Sequence, residues 1–345
     1  MVRSRVCPNI MQDLRSKLKS SLMSGKVIQV CGPPMAGKSN LVDQVTAPNG
    51  HLDGLIYHSF SCKRLSRLDA VLEKVITTLQ PSGTWSPQAS TETRVLYEVQ
   101  KCLVRFSTYH HVFGFHKCES LRSSGADLEF VSFLSKLDKL GWSENVACSV
   151  VFTTYKKFSN SGLSTEMVQV GFLTDPIDIK SLLELHAPGV DVIDYIGICQ
   201  KLLCVPEAVI RFAEEYLVDD VTRCSPQQLE KRVCVDTEFL SMIFEKRVTD
   251  VAGWLSKSDL ELLVYFGNSI NSTFTEQNLI EFLRRQISVY HFDQWVALLL
   301  RRLRENHVLR PVPGKRLAVH PLLVYYVMTC RSVSGRTIND NSCNR

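Results

Sequence analysis

Residues 27–45 constrain the fold more than any other stretch. Val27-Ile28-Gln29-Val30 is a short apolar run, Gly32-Pro33-Pro34-Met35-Ala36-Gly37-Lys38-Ser39 follows, and Ser39–Val45 has helical character. The spacing Gly-x4-Gly-Lys-Ser between a strand and a helix suits a loop that wraps a phosphate. Its glycines let the backbone curve round the anion, whose charge is met by N–H groups at the helix start. Lys38 then reaches the terminal phosphates, and the Ser39 oxygen holds Mg²⁺. Gly32, Gly37, Lys38 and Ser39 are the expected nucleotide-binding residues, with ATP and Mg²⁺ as the expected cofactors.

Beyond the loop, strand and helix patterns alternate. Gly54–Phe60, His110–Phe115 and Ala147–Thr153 read as further strands. Leu65–Leu79, Thr93–Ser107 and Asp127–Leu140 read as helices, and Pro81–Pro87 as a loop. Four strands separated by helices predict a parallel sheet covered on both faces, an α/β P-loop NTPase.

Hydrolysis needs more than phosphate binding. A P-loop ATPase uses an acidic pair at the end of a later apolar strand to hold the Mg²⁺ shell and polarise water. Here that strand runs into His116-Lys117-Cys118-Glu119, and Glu119 comes three residues late. ATP is therefore expected to bind and to turn over very slowly. Thr153 and Thr154 close the fourth strand, where a polar residue can sense the γ-phosphate or simply end the strand. His110, His111, His116 and Cys118 read as a histidine-rich strand end rather than a metal site.

Past about residue 171 the strand patterns stop. Ile177–Leu185, Val192–Leu203, Pro206–Leu217 and Pro226–Lys246, with a break near Val233, read as a helical lid. From Leu255 the pattern changes again. Helices at Lys257–Phe266, Thr275–Arg284 and Phe292–Asn306 precede short strands Val308–Pro311 and Arg316–Val319 about a Pro313-Gly314 turn, the layout of a winged helix. Its third helix presents Trp295, Val296, Leu299, Leu300 and Leu303 for packing. Arg301, Arg302 and Arg304 cluster at the end of that helix, Arg284 and Arg285 end the one before, and Lys315 and Arg316 mark the wing tip. These seven are the candidate contacts to double-stranded DNA; the competing reading is a protein-binding winged helix with solvated or paired arginines. The expected domains are a basic N-terminal arm over 1–26, a nucleotide-binding domain over 27–170, a lid over 171–250, a winged helix over 251–330 and a tail over 331–345.

Charge is unevenly distributed along the chain. The chain carries a formal +5, distributed as +5 over residues 1–26, −5 over 27–250, +4 over 251–335 and +1 over 336–345. Basic ends around an acidic middle point to a polyanion partner. In the arm, Leu14, Leu18 and Leu22 form one stripe of a helix over Ile10–Leu22, which fits either a basic arm on a polyanion or a helix packed on the next domain. Twelve scattered cysteines without a CxxC pair argue for a reduced compartment and give no spacing support for zinc. No apolar run is long enough to span a membrane.

A P-loop sheet, a lid and a winged helix, in that order, resemble the initiator ATPases of replication, which implies a sheet of the AAA+ type. The stretches Leu255-Ser256-Lys257-Ser258-Asp259-Leu260-Glu261-Leu262-Leu263, Phe274-Thr275, Ile287-Ser288-Val289-Tyr290-His291-Phe292-Asp293 and Leu309-Arg310-Pro311-Val312 are similar to the winged helix of origin recognition complex subunit 4. Ser225-Pro226-Gln227-Gln228-Leu229 extends the similarity into the lid. Ser61-Cys62 and Lys117-Cys118-Glu119-Ser120-Leu121-Arg122 look as much like subunit 5. The resemblance implies a nuclear, ATP-binding subunit that assembles with other origin recognition complex subunits on DNA, with ATP as structural glue. Two departures stand against a full carry-over. The acidic pair is absent, and between Thr154 and Phe172 there are Lys156 and Lys157 but no arginine to serve a neighbour's nucleotide. The alternative resemblance is to the NB-ARC type of STAND signalling switch. It rests on Gly54-Leu55-Ile56-Tyr57, Phe152-Thr153-Thr154-Tyr155, Cys204-Val205-Pro206-Glu207-Ala208 and Val319-His320-Pro321, each only half of that family's motif.

Overall fold

The structure is a computed structural model. It describes residues 11–32, 36–46, 54–79, 90–123, 125–155, 158, 165–171, 173, 175–200, 205–218, 224–241, 273–286, 291–305, 308–312, 314 and 316–319. The chain divides into two compact units, Met1–Phe172 and Leu173–Arg345.

The first unit is built on five parallel strands: β1 (Val27–Cys31), β2 (Leu55–Ser61), β3 (His110–His116), β4 (Cys148–Thr154) and β5 (Thr165–Gln169), in the order β2-β3-β4-β1-β5. Side chains alternate between the faces, as a pleated strand requires. Val27, Phe113, Phe115, Val150 and Phe152 enter one core with helices α3 (Leu68–Leu79), α4 (Thr91–Arg105) and the helix Asp127–Ser143. Ile28, Val30, Val112 and Val151 enter the other, with α1 (Gln12–Met23) and α2 (Lys38–Thr46). Burial on both faces explains why β1, β3 and β4 read as near-continuous apolar runs.

The helix α1 packs on the sheet. Leu18 and Leu22 are wholly buried among Ile28, Val42 and Val168. The Ser21 hydroxyl donates to Glu166 on β5 at 2.6 Å, and Lys26 pairs with the same carboxylate at 3.1 Å.

The fifth strand corrects the four-strand expectation. Its sequence, Thr-Glu-Met-Val-Gln, puts only Val168 fully inside because β5 is an edge strand, so no apolar run announces it. Elsewhere in this unit the observed elements lie within about three residues of the expected ones, the usual scatter at element ends. The loop expected at Pro81–Pro87 lies outside the described residues.

The second unit opens with helices Pro176–His186, Ile193–Ile198 and Pro206–Phe212, the last running on as a π-helical turn over Ala213–Leu217. Of the helix expected over Val192–Leu203, Ile193–Ile198 are α-helical and 199–200 continue in π-helical form, while 201–203 lie outside the described residues. Helix Pro226–Val235 begins with a capping box. The Ser225 hydroxyl accepts from the Gln228 N–H, and the Gln228 side chain accepts from the Ser225 N–H. The break expected near Val233 comes at Asp236, where helical structure resumes over 237–241. The helix expected at Lys257–Phe266 falls outside the described residues. Helices Glu276–Gln286 and Phe292–Glu305 then lead into an antiparallel hairpin, β6 (Leu309–Val312) with β7 (Arg316–Val319). Phe274 bridges onto Leu317 of β7 through two backbone hydrogen bonds of 2.7 and 2.8 Å.

Candidate nucleotide site at the carboxyl edge of the sheet

Because β3 and β4 are inserted between β1 and β2, the strand order reverses beside β1. In open parallel sheets such a reversal leaves a crevice at the carboxyl ends of the strands. The chain turns from β1 into α2 there, and Cys31, Ser61, His116 and Thr154 end the four strands around it.

Backbone geometry fixes the loop's glycines. A Cβ on Gly32 would stand 2.1 Å from the Val170 carbonyl oxygen, so only glycine lets the loop leave beside β5. Gly37 has φ +80°, the left-handed region that glycine tolerates without strain. Leu41 N–H donates to the Gly37 carbonyl at 2.8 Å, which sets the first turn of α2 and its N–H groups behind the loop. Lys38 opens that helix and is buried. Its ammonium donates to the Gly32 carbonyl at 3.0 Å and lies 4.7 Å from the centre of the Tyr155 ring. Ser39, next along, is half-buried. A narrow cradle, a left-handed glycine and a lysine folded back across it suit a phosphate chain. Gly32, Gly37, Lys38 and Ser39 would hold a nucleotide with Mg²⁺, the metal offsetting phosphate charge through the serine oxygen. Pro33, Pro34 and Met35 lie outside the described residues.

The two threonines have partners of their own. The Thr153 hydroxyl accepts from the Lys117 N–H at 2.8 Å, while the Thr153 carbonyl accepts from the Cys118 N–H at 3.0 Å. The Thr154 hydroxyl accepts from the Gln29 amide at 2.9 Å. Both side chains are buried. They tie the ends of β3, β4 and β1 together.

At the end of β3 stand His116 and Lys117, the latter at φ +61°, with Glu119 starting the short helix Glu119–Ser123. His116 Nε2 is 2.5 Å from the Tyr57 hydroxyl and 3.5 Å from an Asp43 oxygen, and Tyr57 donates to the same oxygen at 3.3 Å. Burial lowers the His116 pKa, with Lys117 adding to the effect and Asp43 opposing it. Burial and the Asp43 charge raise that of Tyr57. A neutral imidazole and a cationic residue therefore occupy the place of the acidic pair. Asp43, on α2 four residues beyond Ser39, is the carboxylate that faces them. Sequence reasoning missed this trio because its members lie 14 and 59 residues apart; the one local clue was Asp43 a helical turn after Ser39.

In the second unit, the expected packing face of helix Phe292–Glu305 is buried at Val296, Leu299, Leu300 and Leu303. Several of the seven basic candidates have partners within the chain. Arg284 pairs with Asp293 at 2.8 Å, Arg304 pairs with Glu276, and Arg316 donates to the Thr273 carbonyl at 2.8 Å. The two ion pairs clamp helices Glu276–Gln286 and Phe292–Glu305 at both ends. Arg285 and Arg301 are exposed. The Arg302 side chain and Lys315 lie outside what is described.

Among the described residues, no helix is long and apolar enough to cross a membrane. The sequence matches no family model and no curated protein. Its fold matches solved structures along nearly the whole chain. A Walker-type ATPase of Pyrococcus abyssi superposes with a TM-score of 0.62 at 13% identity, over 92% of this chain and 95% of that one. The ORC2 protein of Aeropyrum pernix, solved as ADPNP–ADP complexes, gives 0.62 at 12% identity, over 96% and 97%. At these identities the likeness is one of fold: a P-loop ATPase sheet followed by a second unit.

Proposed function

We propose that this chain is an initiator-type AAA+ subunit of the origin recognition complex class, which holds ATP as a structural element and acts on double-stranded DNA in the nucleus. The observation that carries the reading is a built phosphate cradle beside a strand end, His116-Lys117, without carboxylates. Lys38 and the N–H groups of α2 supply what binding needs. At the end of β3, His116 and Lys117 stand where an acidic pair would hold a Mg²⁺ water shell, Lys117 opposes it, and the nearby Asp43 carboxylate is engaged by His116 and Tyr57. Binding without efficient hydrolysis suits a nucleotide that bridges subunits, its phosphates neutralised by Lys38 on one side and by a basic residue of a neighbour on the other. Thr153 and Thr154 are the residues by which β4 would sense the terminal phosphate.

The fold shared with the Aeropyrum ORC2 protein supports the initiator reading. The second unit supports a lid followed by a winged helix. Two helices precede a hairpin, and Phe274 pairs with β7 as a third short strand. Similarity to subunit 4 rests on sequence. Arg284, Arg285, Arg301, Arg302, Arg304, Lys315 and Arg316 form the proposed DNA face.

The test is mass spectrometry of what co-purifies with the wild-type chain and with Lys38→Ala. Other initiator subunits, depleted by the substitution, are the expected result. Wild-type assembly by Lys38→Ala would remove the nucleotide from the account. Adaptor or death-fold partners would transfer the chain to the STAND signalling class.

A further inference from the structure

We propose that His58, Cys102 and His111 form a zinc site that fastens α4 to the edge of the sheet. The three residues come from three elements. His58 lies on β2, the edge strand; His111 lies near the start of β3; Cys102 lies on α4, which covers that face. One ligand atom from each falls within 4.8 Å of the others. His58 Nε2 is 3.2 Å from His111 Nδ1 and 3.9 Å from Cys102 Sγ. Tetrahedral zinc with bonds of about 2.0–2.1 Å to nitrogen and about 2.3 Å to sulfur places its ligand atoms roughly 3.3–3.6 Å apart. The cluster is thus near the required size, and modest side-chain movement would close it round an ion.

The surroundings also suit a metal. His111 Nε2 donates to the Phe106 carbonyl at 3.1 Å, which leaves Nδ1 with its lone pair facing His58. A ligating histidine is commonly fixed in this way by a backbone carbonyl on its other nitrogen. Phe106 caps α4 by donating its N–H to the Cys102 carbonyl, so one turn of chain carries the thiol and orients the imidazole. The rings of His58 and His111 are stacked, 5.4 Å between centres and 9° from parallel, and Phe113 stacks on His58 at 4.7 Å. That apolar wall shields one side of the cluster.

Two imidazoles and one thiolate form a borderline donor set that suits Zn²⁺. Binding would release the Cys102 proton and leave the fourth position to water. The site is separate from the phosphate cradle, because His111 lies five residues before the end of β3, about 16 Å along a strand. CxxC spacing cannot reveal it, since the ligands are 44 and 9 residues apart in sequence.

The experiment uses the full chain, grown with zinc and purified without a histidine tag. Metal content is measured by inductively coupled plasma mass spectrometry, and Co²⁺ is then substituted to look for a thiolate-to-cobalt charge-transfer band. The expected result is about one zinc per chain, a cobalt–thiolate band, and at least tenfold weaker zinc binding in both Cys102→Ser and His58→Gln. These positions are half-buried, and circular dichroism confirms that both variants fold; if either fails, the other carries the comparison. A zinc-free wild type without the cobalt band, a different resident metal, or equal binding by folded variants would overturn the site.

Discussion

The Tyr57 ring lies across Gly114, and this brings its hydroxyl to 2.5 Å from His116 Nε2. A Cβ at Gly114 would stand 2.5 Å from the tyrosine hydroxyl oxygen and 2.6 and 2.9 Å from two carbons of the ring. The missing side chain on β3 thus makes room for the tyrosine on β2 that meets the residue standing where an acid is expected.

Gly114→Ala should force the ring aside. Overpacking of this kind costs about 1–3 kcal/mol, so thermal unfolding of the variant should begin several degrees lower. Tyr57→Phe removes the closest atom but keeps ring carbons at 2.6 and 2.9 Å, so it should relieve only part of the Gly114 clash when the two changes are combined. Additive melting shifts in the double variant would locate the cost in the ring; rescue by Tyr57→Phe would place it in the hydroxyl.

Glu166 links β5 to α1 and should give the first unit a distinct acid response. Hydrogen bonds from Ser21 and then Lys26 hold its pKa below the ordinary glutamate value. The unfolded chain therefore takes up this proton at a higher pH than the folded one. The stabilisation is complete above about pH 4.5 and is lost as pH falls through the depressed native value. Glu166→Gln should lower stability at pH 7 by at most about 1 kcal/mol, since the pair is partly exposed. The gap between variant and wild type should close in acid, as urea titrations at pH 7 and pH 3 would show.

The basic residues of the second unit should separate into two groups. Arg285→Ala, at an exposed helix end, should reduce the magnitude of the log–log salt slope of DNA binding by about one for a lost phosphate contact and leave the melting temperature unchanged. Arg304→Ala should do the same and also remove the ion pair with Glu276, costing up to about 1 kcal/mol of stability. Fluorescence anisotropy across a salt series measures the first effect and calorimetry the second. A salt slope untouched by replacing all seven residues would show that DNA is bound elsewhere.

How much of this was legible in the sequence depends on the range of the interactions. The phosphate cradle could be read because Gly32, Gly37, Lys38 and Ser39 are contiguous and their spacing encodes a backbone path. The central strands could be read because both their faces are buried. β5 could not, because an edge strand with one wholly buried residue carries no periodic signal. The contacts among Tyr57, His116 and Asp43, and the cluster of His58, Cys102 and His111, depend on strand register and on where α4 docks. Neither follows from local composition. The ion pairs of Arg284 and Arg304 were equally hidden, since a run of arginines looks the same whether its partners are phosphates or carboxylates.

The central claim, that ATP is bound and not consumed, is tested most directly by incubating the purified chain with Mg²⁺ and radiolabelled ATP and following the bound nucleotide over time. The account predicts about one nucleotide per wild-type chain, still ATP after hours, and none on Lys38→Ala. Repeated, Lys38-dependent release of ADP by the chain alone would contradict it.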